Sequence, residues 1–296
     1  MSTRAKVRTG IAVYVLLIIA AVAAFGATKN EDSSFEPANE FKVDTWIDLG
    51  PLSINKAVLY IVIAGFLTVF TMMWVAKRMQ AKPNRTQTVV ELIYTSMRDN
   101  VTGANMDGAM AKRWFPFIAT IFLFIWYSNL IGYIPLPTNT EHEFDVFGLA
   151  VPHFALYAAT ANLGVPLMLA ILVFVFYTGE GIKKKGLIGY LGSLVPPGVT
   201  GPMAVFIWFL EFLSNFMRLI SLSVRLFANI LAGHLIILFM SGGLAVLLGI
   251  HAVGVIALPA GILLYLFEIG LVATLQAFIF ATLTAIYLGG AVSESH

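Results

Sequence analysis
Long apolar blocks alternate with short charged or proline-rich stretches along the whole chain. The first block, Ile11 to about Ala27, follows Arg4, Lys6 and Arg8 and ends in small residues. A basic start, an apolar middle and a small-residue end describe a signal peptide or an extra N-terminal membrane helix over residues 1–28. Under either reading residues 29–50, with Glu31, Asp32, Glu36, Glu40, Asp44 and Asp48, form an outer-side segment. Residues 54–76 then predict a membrane span, closed by Lys77, Arg78, Lys82 and Arg85, which the positive-inside rule keeps on the cytoplasmic side. In residues 86–112 the apolar positions Val89, Val90, Ile93, Tyr94 and Met97 recur at helical spacing among Glu91, Arg98 and Asp99. That pattern predicts an amphipathic helix lying on the cytoplasmic surface.

The next spans are 114–135, anchored by Lys112, Arg113 and Trp114, and 151–178, closed by Lys183, Lys184 and Lys185. Between them runs an acidic outer loop with Glu141, Glu143 and Asp145. Residues 190–202 are a Gly/Pro loop. From 203 to 248 there is no proline and almost no loop composition. As one helix at ~1.5 Å per residue this block would exceed a hydrocarbon core ~30 Å thick about twofold. It predicts one strongly tilted helix, the alternative being two spans broken near Gly242–Gly243. A second long block, 256–290, follows. The fold expected is all-α and polytopic, with about five to six membrane helices. Two of these are long, strongly tilted C-terminal helices forming a hairpin, and one further helix is interfacial. No internal repeat supports an inverted-repeat transporter.

Composition narrows the class. The chain is 59% hydrophobic and 11% charged, against roughly 25% charged residues in a soluble domain. Its net charge of +2 gives no nucleic-acid footprint, and with no cysteine there is no disulfide, thiolate metal site or cysteine nucleophile. HExxH, GxSxG and GxxxxGK[ST] are all missing, so neither hydrolase chemistry, nor a metal, nor a cofactor is expected.

What remains is a small set of polar groups at membrane depth. Residues 201–292 carry four formal charges, Glu211, Arg218, Arg225 and Glu268, besides His234 and His251. A charge near the bilayer centre costs roughly 2.5–3.5 kcal/mol on insertion scales. For Glu211 and Arg218 an ion pair or snorkelling near a helix end is as good an account as a functional one. Arg225 lies over twenty residues into its segment with no acid within a turn. Glu211, Arg218 and Arg225 are seven apart, and Ser221 and Asn229 flank Arg225 at i−4 and i+4, so five polar groups share one stripe. His234 is nine residues after Arg225, about half a turn round, and faces another neighbour. A lone Glu268 in an apolar stretch and an imidazole are both groups that take up and release protons. Together with an arginine that keeps its charge, they suit a proton path.

The run Ser221-Leu-Ser-Val-Arg225-Leu-Phe-Ala-Asn229-Ile-Leu-Ala-Gly233-His234 resembles the signature of subunit a of F-type ATP synthases. So do Leu275-Gln276-Ala-Phe-Ile-Phe, Tyr287-Leu, and Ser128-Asn129-Leu130 ahead of Pro135. The likeness covers roughly residues 45–296, and 29–296 would be the family's membrane domain. It implies a non-catalytic, proton-translocating stator subunit of a rotary ATP synthase. Its partners would be a c-subunit ring, b-type peripheral stalk subunits, other synthase subunits, the lipid bilayer and protons. Its place would be a bacterial inner membrane, with the C-terminus cytoplasmic. Arg225 would face the rotor and separate two half-channels. His234 and Glu268 would line the outer one, Asn229 and Gln276 would neighbour Arg225, and Ser221, Glu211 and Asn129 would be further path residues. The chain departs from the family in two places. Glu268 precedes Gln276 by eight residues where seven is expected, and Gly132 stands where the family has an acid. A stand-alone proton- or anion-coupled secondary transporter is the alternative. It would need broken helices at a midplane site.

Overall fold
The computed structural model describes residues 45–47, 54–80, 84–133, 144–146, 149–151, 158–196, 198–240 and 251–292. The apolar run of residues 11–27, the segment 29–44, most of the acidic loop and residues 241–250 lie outside the described residues. Five helices are long and apolar enough to cross a membrane among those described, which makes the chain an all-α polytopic membrane protein.

Helix α1, Lys56–Arg78, is the first span. Ahead of it strand β1, Thr45–Ile47, pairs antiparallel with β2, Ile54–Asn55. Helix α2, Arg85–Thr95, starts on an Asn84 cap whose side chain accepts from the Gln87 N–H. A π-helical stretch, Ser96–Gly103, continues it, and Asp107 precedes helix α3, Gly108–Gly132. The single helix expected over 86–112 is therefore divided. Its last residues belong to the span α3, because the chain breaks at Met106–Asp107. Strands β3, Phe144–Val146, and β4, Leu149–Val151, form a second antiparallel pair after α3. The span expected over 151–178 begins later, as α4, Gly164–Lys185. A 3₁₀ turn at Ala159–Ala161 precedes it, Asn162 Oδ1 accepts from the Gly164 N–H at 2.9 Å, and Pro166 sits in its first turn, where proline is tolerated. Helix α5, Leu187–Gly192, occupies part of the Gly/Pro loop.

The last third is α6, Pro202–Leu238, then α7, His251–Phe267, a π-helical stretch Glu268–Val272, and α8, Ala273–Val292. At ~1.5 Å per residue α6 is about 55 Å long, well beyond the apolar thickness of a bilayer. By compactness the described residues separate into a large unit within 40–234 and 265–296 and a small one within 235–264. In the small unit Gly261 lies close to the Met240 backbone.

Packing in the large unit follows residue size. On α8 the buried positions include Ala273, Ala277, Ala281 and Ala285, four apart, alternating with Phe280, Thr284 and Leu288. A stripe of small residues lets backbones approach closely, which is how membrane helices gain contact when lipid supplies no hydrophobic drive. α8 packs against both α3 and α4, and α1 covers another side of α3. The α3 face is a helical repeat of Ile118, Ile121, Phe122, Ile125 and Asn129. Arg113 and Glu180 join α3 to α4 through contacts of 2.8 and 3.2 Å, and Lys184 Nζ donates to the Val292 carbonyl at 2.9 Å.

Candidate functional site
Helix α6 presents two faces. Leu222, Leu226 and Ile230 are buried, four apart. Ser221, Val224, Arg225, Ala228, Asn229 and Ala232 are exposed, at the i, i+3, i+4 spacing of one stripe. Arg225 is thus an exposed cation on the protein surface, ringed mostly by small side chains, and no acid pairs with it among the described residues. The expected five-residue stripe divides at this point. Glu211 and Arg218 are half-buried and paired, with Arg218 Nη2 at 3.3 Å from Glu211 Oε1. Arg218 also reaches Asn215 and lies over the Tyr287 ring, 5.6 Å from its centroid. This pair borders a cavity of about 640 Å³, lined among others by Tyr177, Glu211, Asn215, Arg218 and Tyr287.

His234 points the other way, into the large unit. Its Nδ1 is 2.8 Å from the Ile230 carbonyl and its Nε2 is 3.0 Å from the Gly132 carbonyl. Carbonyls only accept, so a neutral ring satisfies one of them and a protonated ring both. The contact to Gly132 ties α6 to α3. The Tyr133 ring stacks on the imidazole with centroids 4.6 Å apart, and its hydroxyl donates to Glu268 Oε2 at 3.0 Å. Tyr265 donates to the Tyr133 carbonyl. Glu268 is buried, and a Cβ on Gly233 would lie 2.5 Å from its Oε2. A side chain at position 233 would have to push that carboxyl aside.

The π-helical stretch accounts for the spacing of Glu268. A π-turn closes i→i+5 bonds and takes up one extra residue. Eight α-helical residues would turn Glu268 about 80° from Gln276, whereas with one residue absorbed the separation acts as seven, about 20°. Both side chains are buried. Gln276 makes no hydrogen bond to Arg225 among the described residues.

Asn129 is fully buried one turn before Tyr133. It donates to the Ala273 carbonyl at 3.2 Å and accepts from Thr160 at 2.7 Å, joining three elements beside the Glu268 group. Gly132 has no room for an acid, since even a Cβ would lie 2.6 Å from Ala158 Cα. The polar group on this side of α3 is the Tyr133 hydroxyl instead. Sequence reasoning missed Tyr133, Thr160 and Tyr265. The available signal was Tyr133 itself, a polar aromatic four residues after Asn129 on the same helical face.

The fold and this arrangement define a polytopic membrane protein with an exposed arginine on a long apolar helix and a Glu–Tyr–His group whose acid and tyrosine are buried. The sequence model described as ATP synthase A chain matches residues 58–289. The chain is 33% identical over 271 residues to ATP synthase subunit a of Bradyrhizobium diazoefficiens, covering 88% of this chain and 99% of that one. It is 34% identical over 265 residues to that of Pelagibacter ubique, covering 88% and 98%. For the Rubrobacter xylanophilus subunit the identity is 33% over 240 residues, 80% of this chain and 83% of that one. The chain belongs to the ATP synthase A chain family.

Proposed function
We propose that this chain is the proton-translocating stator subunit of an F-type ATP synthase membrane sector, working by two half-channels that meet at Arg225. The observation that carries the reading is the division of α6: Arg225 faces outward in a stripe of small residues, while His234 and Glu268 are turned inward as a separate group. A flat, small-residue face lets a partner helix approach closely. The partner is a c-subunit ring, whose carboxylates Arg225 keeps ionised as they pass. An arginine does not deprotonate, so it blocks a direct leak between the two paths.

Protons enter from the outer side along Tyr133, His234 and Glu268, with Asn129 and Gln276 behind them. They leave through the cavity at Glu211, Asn215, Arg218 and Tyr287. Its lining also includes Lys185, in the cationic cluster that marks the cytoplasmic face. The bond from Lys184 to the Val292 carbonyl supports a C-terminus on that same side. Ser221 and Asn229 flank Arg225 on the ring-facing stripe. Residues 85–103 lie along the cytoplasmic surface, and the b-type stalk completes the stator in a bacterial inner membrane. The subunit performs no covalent chemistry. Each charge moved across 100 mV is worth ~2.3 kcal/mol, and rotation gathers several per ATP.

The test is ATP-driven proton pumping by the complex in vesicles. Arg225→Ala abolishes coupled pumping and the wild type copurifies with a ring of small hairpin subunits. Retained coupled pumping by Arg225→Ala would sink the assignment.

A further inference from the structure
We propose that Tyr133 is a positioning residue of the outer-side proton path, holding the Glu268 carboxyl beside His234; this rests on the reading of that path given above. Three contacts converge on it. Its hydroxyl donates to Glu268 Oε2 at 3.0 Å, its ring lies against the His234 imidazole at 4.6 Å and 26°, and its own carbonyl is held by the Tyr265 hydroxyl. Tyr133 is 3% exposed, so water does not replace the bond it gives Glu268.

The geometry explains why a tyrosine is needed. Glu268 comes from the π-helical stretch and His234 from α6, and neither hydrogen bonds to the other among the described residues. Tyr133 closes α3 with its backbone beyond the last helical turn, at φ −96° and ψ 3°. From there one side chain offers a donor to the carboxyl and a π face to the imidazole. With the carboxyl and the imidazole both held by this one residue, Glu268 and His234 keep a fixed placement although no bond joins them among the described residues. The titratable groups around Glu268 are Tyr133 from α3, His234 from α6 and Tyr265 from its own helix; no Lys or Arg bonds to it among the described residues.

The experiment uses the intact complex in proteoliposomes, with the ATP-forming part outside. Acid–base jumps vary the luminal pH, which is the pH on the Tyr133 side, and ATP synthesis is the readout. Tyr133→Phe keeps the stack and removes the donor. We expect normal assembly, a rate about tenfold lower at neutral luminal pH and an altered dependence of that rate on luminal pH, since Glu268 Oε2 loses its donor. Gly233→Ala presses on the same carboxyl with Tyr133 intact, and alters the pH dependence likewise. That variant decides the matter should Tyr133→Phe fail to assemble. A lower rate with an unchanged pH profile in both variants means bulk packing only and overturns the proposal. An unchanged Tyr133→Phe beside an inactive Arg225→Ala sinks it while sparing the proton-path reading; an active Arg225→Ala sinks that reading itself.

Discussion
Gly132→Ala is a severe test of how tightly α3 is seated. Gly132 ends the helix, and an added Cβ would lie 2.6 Å from Ala158 Cα and 2.8 Å from Ala158 N. Those are backbone atoms, so no side-chain rotation relieves the clash. In favour of alanine is helix propensity, ~0.5–1 kcal/mol over glycine. Against it stands overpacking, typically about 1–3 kcal/mol. The Gly132 carbonyl also holds His234 Nε2 at 3.0 Å, and loss of that bond adds ~0.5–1.5 kcal/mol. The opposing terms leave a net loss of about 1–3 kcal/mol. At ~2–4 °C per kcal/mol for a large domain, the melting point should fall by about 3–10 °C. Gly65→Ala and Gly179→Ala supply the control, because both glycines sit inside helices with open space where the Cβ would go. They should be neutral or stabilising. The assay is thermal inactivation of the detergent-solubilised complex, read with all three variants side by side. A Gly132→Ala complex as stable as the two controls would refute the close seating of Ala158 on α3.

Two further outcomes follow from bond counts. Asn129→Leu strands both the Thr160 hydroxyl and the Ala273 carbonyl, and should cost about 1–3 kcal/mol, seen as reduced assembled complex and a lower inactivation temperature; Thr160→Val should lose less, since one of the Asn129 bonds survives. Glu211→Gln breaks an ion pair in which both side chains are about two-fifths exposed, so the melting point should move by less than the equivalent of ~1 kcal/mol, while proton pumping should slow if the proposed exit path runs through the cavity beside it. A large loss of stability with normal pumping would reverse that assignment.

Much of this was legible in the sequence because a membrane leaves few options. Apolar length pointed to a long helix in each of five blocks, since unsatisfied backbone cannot face lipid. Helix bounds were less legible: the span expected from 114 starts at Gly108, and the one expected from 151 waits until Gly164 because Asn162 and Pro166 set its start. The isolation of Arg225 was equally readable: helical periodicity alone put Ser221 and Asn229 beside it and turned His234 away. Spacing could not say which members of a stripe pair with each other, and so did not separate Glu211 and Arg218 from the exposed group.

The tertiary structure decided three things. A π-turn cannot be read from residue spacing, yet it brings Glu268 back to the side of Gln276 despite the extra residue. The small residues at 132 and 233 look interchangeable in the sequence, but one admits the Ala158 backbone and the other a carboxyl. Tyr133, an ordinary interfacial tyrosine by composition, becomes the link between an acid 135 positions later and a histidine on another helix. The chain alone determines that expensive polar groups sit in an apolar medium. Which of them bond to one another is fixed only by helices that meet across long stretches of sequence, where local periodicity carries no information.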